Sequence, residues 1–195
     1  MTRKSQIERS TTETNIKLSF DLDGKGNYQI NSGVRFFDHM LELFAKHGRF
    51  DLTVDGKGDV DVDAHHTVED IGICLGLAIK DALGNKSGII RYATAFTPMD
   101  EALSRICIDV SNRSFLVFDA DFSNPKVSDF PTELVEEFFR AVAFNAGINL
   151  HIKVEYGKNN HHMIESLFKG FGRALREATR VDASIDGVLS TKGQL

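Results

Sequence analysis

Apolar positions along the chain change their period several times, and each change marks an element. From Asn15 to Leu22 (NIKLSFDL) apolar and polar residues alternate, Gly24 to Gly26 supplies a turn, and Tyr28 to Ile30 reads as a short return strand, together a hairpin. Between Val34 and His47 the apolar residues Val34, Phe37, Leu41, Phe44 and Ala45 recur at helical spacing, with Gly48 placed to end the helix. Phe50 to Val54 reads as a strand, Asp55 to Gly58 as a turn, and a second helix is predicted from His65 to Leu83, stopped by Gly84. After a break at Lys86 to Gly88, strands are expected near 90–96, 101–110 and 115–120. A helix over 131–146 closed by Gly147, a strand over 149–155 and a helix over 161–179 follow.

The second half therefore repeats the order of the first: strands, helix, glycine, strand, polar loop, and a helix led by two histidines. The second His-His pair stands 96 positions after the first, at 161 against 65, which points to an internal duplication. The expected division is a first repeat over 1–87 and a second over 88–195 carrying a C-terminal tail. Strands feeding helices in this order predict an α+β fold, an α/β sandwich in which each half lays two helices on one face of a small mixed sheet.

Composition narrows the chemistry. The 195 residues are 42% hydrophobic and 26% charged with a net charge of −5, so disorder is excluded and neither nucleic acid nor an anionic membrane is an expected partner. Any anionic substrate must be held by a local group of cations. Cys74 and Cys107 both sit in apolar runs and read as reduced core thiols. The N-terminal MTRKSQIERSTTETN has no signal-like apolar stretch, and the run Ile71 to Ile79 is too short to span a bilayer, so a cytoplasmic protein is expected.

The seven histidines are the unusual feature, because four stand in matching motifs: His65-His66-Thr67-Val68-Glu69 and His161-His162-Met163-Ile164-Glu165. At about 100° per residue the Glu lies at about 40°, between the two imidazoles, so all three side chains share one arc. Adjacent histidines diverge too far to chelate one ion easily but suit two ions on either side of the Glu. Imidazole with carboxylate and no thiolate favours a divalent ion such as manganese, iron, cobalt, nickel or zinc, and excludes a cysteine-rich structural zinc site. His39 and His151 could complete the shells, although alone they read as a helix-surface residue and an outward strand residue. His47, before Gly48, is equally compatible with a role at the helix C-terminus.

The motifs Thr12-Glu13-Thr14-Asn15, Phe37-Asp38-His39-Met40-Leu41, His65-His66-Thr67 with Glu69-Asp70, Asp100-Glu101-Ala102-Leu103, Glu133-Leu134-Val135-Glu136, His161-His162 with Glu165, and Ser190-Thr191-Lys192-Gly193 together resemble one family, imidazoleglycerol-phosphate dehydratase. The resemblance implies loss of water from D-erythro-imidazole glycerol phosphate to give imidazole acetol phosphate in histidine biosynthesis, two manganese ions per active site, and two halves of the ribosomal-protein-S5-domain-2-like fold. It also implies a hollow 24-subunit homo-oligomer of octahedral symmetry with sites between subunits. The implied metal ligands are His39, His65, His66, Glu69, His151, His161, His162 and Glu165. Glu13, His47, Arg91, Arg113, Lys169, Ser190, Thr191 and Lys192 are the implied substrate-binding positions, and Glu13 and Glu165 are the candidates for proton transfer. Ser111-Asn112-Arg113-Ser114-Phe115 departs from the family's usual Ser-Gly-Arg-Pro-Tyr but retains the arginine. A two-metal hydrolase and a non-catalytic metal-linked cage are the alternatives; the hydrolase would need neither Glu13 nor the C-terminal Ser-Thr-Lys.

Overall fold

The computed structural model describes residues 2–195. In chain order the elements are β1 (Lys4–Ser10), β2 (Thr14–Asp21), β3 (Tyr28–Asn31), α1 (Arg35–Gly48), β4 (Asp51–Gly58) and α2 (His65–Leu83), then β5 (Tyr92–Met99), β6 (Ala102–Asp109), β7 (Phe115–Asp119), β8 (Lys126–Val127), β9 (Phe130–Pro131), α3 (Leu134–Ala146), β10 (Asn149–Tyr156) and α4 (Asn160–Ala178). Two four-stranded sheets result, ordered β1-β2-β4-β3 and β5-β6-β10-β7. Each is mixed in the same way: two antiparallel pairings, then one parallel pairing, β4 with β3 and β10 with β7. The parallel pair requires a crossover, which α1 and α3 supply. This is the α+β class expected from the element order.

The helices form the middle of the molecule. α2 packs on β1, β2 and β4, α4 packs on β5 and β6, and the two helical layers meet face to face as α1 against α4 and α2 against α3. A helix covered on both sides must be apolar around most of its girth. Accordingly α2 buries Val68, Ile71, Cys74, Leu75, Ala78 and Ile79. Several contacts between the layers are close enough to require glycine, two of them against backbone carbonyls at well under 3 Å. A Cβ on Gly76 would stand 2.7 Å from the carbonyl oxygen of Val142, and one on Gly172 would stand 2.5 Å from that of Phe44. Around them run stacked and edge-on rings, including Phe44 on Phe171 at 5.1 Å and Phe138 on Phe168 at 5.2 Å, each pair adding roughly 0.5 to 1.5 kcal/mol beyond simple burial.

Several local expectations are corrected. The 15–22 and 28–30 strands are not a hairpin, because β4 inserts between them and pairs antiparallel with β2 and parallel with β3. The Asp51 carboxylate holds the intervening loop open by accepting the backbone N–H groups of Lys25 and Asn27. β4 also continues through Gly58, where a turn was expected from Asp55. Gly58 faces Thr67 so closely that no Cβ fits. Strand β1 gives no clear sequence signal because KSQIERS has almost no apolar alternation, and its one buried residue is Ser5. Gly48 is the last residue of α1, not its stop: Arg49 takes the left-handed conformation (φ 54°), and Gly48 is small because the Phe50 ring occupies the space of its Cβ. Cys74 is buried, with its thiol pushed up to about 11 by burial. Cys107, by contrast, lies on the outward face of β6, since Ile106 and Ile108 take the inward positions. Among the described residues no helix is long and apolar enough to cross a membrane.

Candidate metal centre and substrate cavity

Packing of α1 on α4 brings His39 to His161, with ring centroids 6.1 Å apart. Glu165, one turn along α4, places Oε2 3.4 Å from His161 Nε2. One ligand atom from each of His39, His161 and Glu165 lies within 4.8 Å of the others, the group of this kind found among the described residues. Bonds of roughly 2.0 to 2.2 Å put opposite ligands of one ion about 4 Å apart. The three donors therefore fit a divalent cation with little side-chain movement, and two imidazoles with one carboxylate are a suitable donor set.

The two His-His pairs adopt one geometry. Ring centroids are 6.1 Å apart in His65-His66 and 6.2 Å apart in His161-His162, with ring planes at 80° in both. Each pair opens a helix whose first N–H groups need acceptors. Asp63 accepts the N–H of His65 at 2.7 Å, and Asn159 accepts those of His161 and His162. The second histidine of each pair meets a carboxylate at Nδ1: His66 meets Asp59 at 3.1 Å and His162 meets Glu101 at 2.7 Å. These bonds raise the proton affinity of both rings, with burial opposing them. The same bond, aided by the N–H of Asn159, holds the Glu101 carboxyl down to about 2. Sequence reasoning missed Asp59, Asp63, Glu101 and Asn159 as parts of the site. Only the Asp-Glu-Ala-Leu motif hinted at one of them, Glu101.

Glu13 stands in the β1–β2 turn, where Thr11 Oγ1 accepts the N–H groups of Glu13 and Thr14 and Thr14 Oγ1 donates to the buried Asp70 of α2. The turn is thereby tied to the helix that carries the first pair, and Glu13 Oε2 lies 3.8 Å from His66 Nδ1. On α4 the residues His161, Glu165, Lys169 and Arg173 follow at intervals of four and share one face. Lys169 Nζ bonds Glu165 Oε1 at 2.7 Å. His47 is held toward its neutral form chiefly by partial burial and then by the positive charges of Lys169 and Arg173. It therefore lies near the Glu165-Lys169-Arg173 stripe, and Arg49 takes the capping position at the end of α1.

A cavity of about 800 Å³ gathers the remaining expected residues: Arg91, Arg113, Ser190, Thr191 and Lys192 all line it, with Ser111. The tail reaches it because Gly88 donates to the Gly187 carbonyl and Ile89 bridges to Val181. Arg91 does not present a free fork, since Asp109 accepts its Nε and Nη2 at 2.7 and 3.2 Å and the Leu189 carbonyl accepts Nη1 at 2.6 Å. Arg113, more distant from Asp109 at 3.7 Å and 66% exposed, is the freer guanidinium. The Ser111 hydroxyl is buried without a hydrogen-bond partner.

None of His39, His161 and Glu165 lines this cavity. His151 lies on the outward face of the second sheet, paired across strands with Cys107 and Val117, while His161 and Glu165 ride on the helix that covers the inward face. That outward face exposes Tyr92, Phe96, Phe115 and Val117, whereas the corresponding face of β2 and β4 presents Asn15, Lys17, Ser19, Thr53, Asp55 and Lys57.

Fold and site together define a class: an α+β protein of two like-connected mixed sheets, with paired histidines at helix starts and an imidazole–carboxylate cluster where the helical layers meet. A family model described as imidazoleglycerol-phosphate dehydratase matches residues 32–175. Proteins of that name from Acetivibrio thermocellus and Streptococcus thermophilus are each 61% identical, over 195 and 193 residues, covering 100% and 99% of this chain and 100% of theirs. A crystal structure of the Staphylococcus aureus dehydratase superposes with a TM-score of 0.84 at 41% identity, over 92% of this chain and 99% of that one. The Pyrococcus furiosus structure in complex with (S)-C348 gives the same TM-score at 35% identity, over 97% and 100%. The chain belongs to the imidazoleglycerol-phosphate dehydratase family.

Proposed function

We propose that the chain dehydrates D-erythro-imidazole glycerol phosphate to imidazole acetol phosphate, a step of histidine biosynthesis in the cytoplasm, with two manganese ions per site. The observation that carries the reading is the convergence of His39, His161 and Glu165 between the helical layers of a chain of this family. His65, His66, Glu69 and His162 would hold the ions with them, and His151 would be contributed by a neighbouring copy. Bound manganese supplies Lewis-acid stabilisation of negative charge on the imidazole ring. The duplication over 1–87 and 88–195 is part of the same reading and is supported by the matching strand orders.

The reaction removes hydroxide from the carbon attached to the ring and a proton from the next carbon, neither activated by a carbonyl. The ring supplies the electron pair: its N–H proton is lost, the hydroxyl departs as water after receiving a proton, and a neutral diazafulvene remains. Removal of the proton on the neighbouring carbon and return of one to the ring nitrogen yield an enol, which becomes the ketone. Glu13 and Glu165 are the carboxylates proposed to move these protons. Arg113 and Lys192, with Ser190 and Thr191, would bind the phosphate, giving a net-acidic protein its local cations. Lys169 holds Glu165 in place through its bond to Oε1.

Chelator-stripped protein is expected to be inactive and to regain formation of imidazole acetol phosphate on addition of manganese. If the reloaded protein makes none, the reading is wrong, and release of inorganic phosphate alone would favour a hydrolase. The proposed assembly of 24 copies draws support from the exposed aromatic face around His151, a surface more apolar than an isolated subunit needs. Phe115→Asp, on a residue 55% exposed in the single chain, is expected to shift the particle size in light scattering to smaller species without unfolding. Unchanged particles would remove that face from the assembly.

A further inference from the structure

The two sheets are connected alike, so the β1–β2 turn and the β5–β6 turn occupy corresponding places. Glu13 immediately precedes β2 and Glu101 immediately precedes β6, and each approaches Nδ1 of the second histidine in its own unit: Glu13 near His66 at 3.8 Å, Glu101 on His162 at 2.7 Å. In the first unit a different carboxylate, Asp59 just after β4, holds Nδ1 of His66 at 3.1 Å. We infer that Glu101 is a positioning residue that sets the tautomer and orientation of His162, that Asp59 performs this task for His66, and that this substitution of partners leaves Glu13 free to meet the substrate.

The chemistry follows from donor and acceptor capacity. A carboxylate only accepts, so Nδ1 of His162 carries the proton and Nε2 keeps its lone pair for a metal ion. Glu101 is itself fixed, because its other oxygen accepts the backbone N–H groups of Asn159 at 2.7 Å and Lys158 at 3.2 Å. Those residues belong to the loop whose Asn159 caps α4. One carboxylate thus locks the ring and the start of its helix together. Glu101 touches neither substrate nor reacting atoms in this scheme; it acts through His162.

The inference deepens the metal-site reading and rests on it for its consequence, though not for its geometry. Glu101→Gln separates a positioning role from a purely structural one. The amide oxygen can retain both backbone N–H groups, so the loop stays fixed, but the amide NH₂ then faces Nδ1 and drives the ring proton to Nε2. In metal-free full-length protein labelled with ¹⁵N-histidine, at a pH where the rings are neutral, His162 is expected as the Nδ1–H tautomer in the wild type and as Nε2–H in E101Q. Titration with manganese alone should show one class of site weakened about 10 to 100-fold. Asp59→Ala, which removes both oxygens facing His66 Nδ1, should release the His66 ring to a mixture of tautomers and leave His162 unchanged; if E101Q folds poorly the wild type still decides, because His162 found there as Nε2–H overturns the inference. An unchanged His162 tautomer in E101Q, or manganese affinity within twofold of wild type, overturns the inference. A wild type that takes up no manganese refutes the proposed function instead, and the tautomer comparison still decides the role of Glu101.

Discussion

Glu165→Gln is expected to lower kcat for imidazole glycerol phosphate by about 10² to 10⁴-fold, the range for loss of a positioned general acid or base. Three observations make this carboxylate the most sensitive single group. Its side chain is only 9% exposed, Lys169 Nζ bonds one oxygen at 2.7 Å, and the other faces His161 Nε2 at 3.4 Å. Glutamine preserves volume and hydrogen-bonding capacity but removes the charge that Lys169 and a bound cation both require. The loss therefore combines proton transfer with metal retention, and the two can be separated by measuring turnover and manganese content on the same sample. Retention of manganese with a large fall in kcat assigns Glu165 to proton transfer. Parallel loss of both assigns it mainly to the metal. Turnover within tenfold of wild type would remove Glu165 from the site.

Gly172→Ala is expected to cost about 1 to 3 kcal/mol of stability, the usual penalty for overpacking, and to lower the melting temperature by about 2 to 12 °C for a chain of this size. The new Cβ would stand 2.5 Å from the Phe44 carbonyl oxygen and 3.0 Å from the Gly48 nitrogen. Both obstacles are backbone atoms, so no rotamer change relieves them and α1 must move away from α4. That motion separates His39 from His161, which belong to those two helices, and manganese affinity should fall along with stability. Gly76→Ala is the matched control. Its Cβ would stand 2.7 Å from the Val142 carbonyl oxygen at the contact of α2 with α3, away from the His39–His161 approach. A similar loss of stability with manganese affinity preserved is expected there. Equal effects of the two substitutions on affinity would show that the spacing of α1 and α4 does not control the donor cluster.

The tightness of these contacts also explains how polar ligands survive in a molecule with so apolar a middle. His39, His161 and Glu165 lie near the N-terminal ends of their helices, at the rim of the helical layers, while the phenylalanines fill the interior behind them. Burial is thus divided along each helix.

Helical and strand periods were legible wherever one face is apolar, and so α1, α2, α3, α4, β2, β6 and β10 were found close to their true bounds. β1 was hidden, because its inward positions include Ser5 and its stability comes from pairing with β2, a non-local partner that local periodicity does not encode. The order of strands was hidden for the same reason: proximity in sequence favoured a hairpin, but β4 inserts between β2 and β3 and buries Leu52 and Val54 against the helices. The paired HHxxE motifs were visible in the primary structure since covalent spacing alone puts the three side chains on one arc of a helix. Their partners are scattered through the chain. Asp59 and Glu101 reach His66 and His162 only once strand ends are laid beside helix starts, and His39 reaches His161 only because glycine lets α1 lie on α4. Spacing along one element therefore pointed to candidate donors, the two histidines and the glutamate of each motif. Packing between elements chose which of them share an ion-sized space, which are held by carboxylates, and that His151 faces outward, away from the helices.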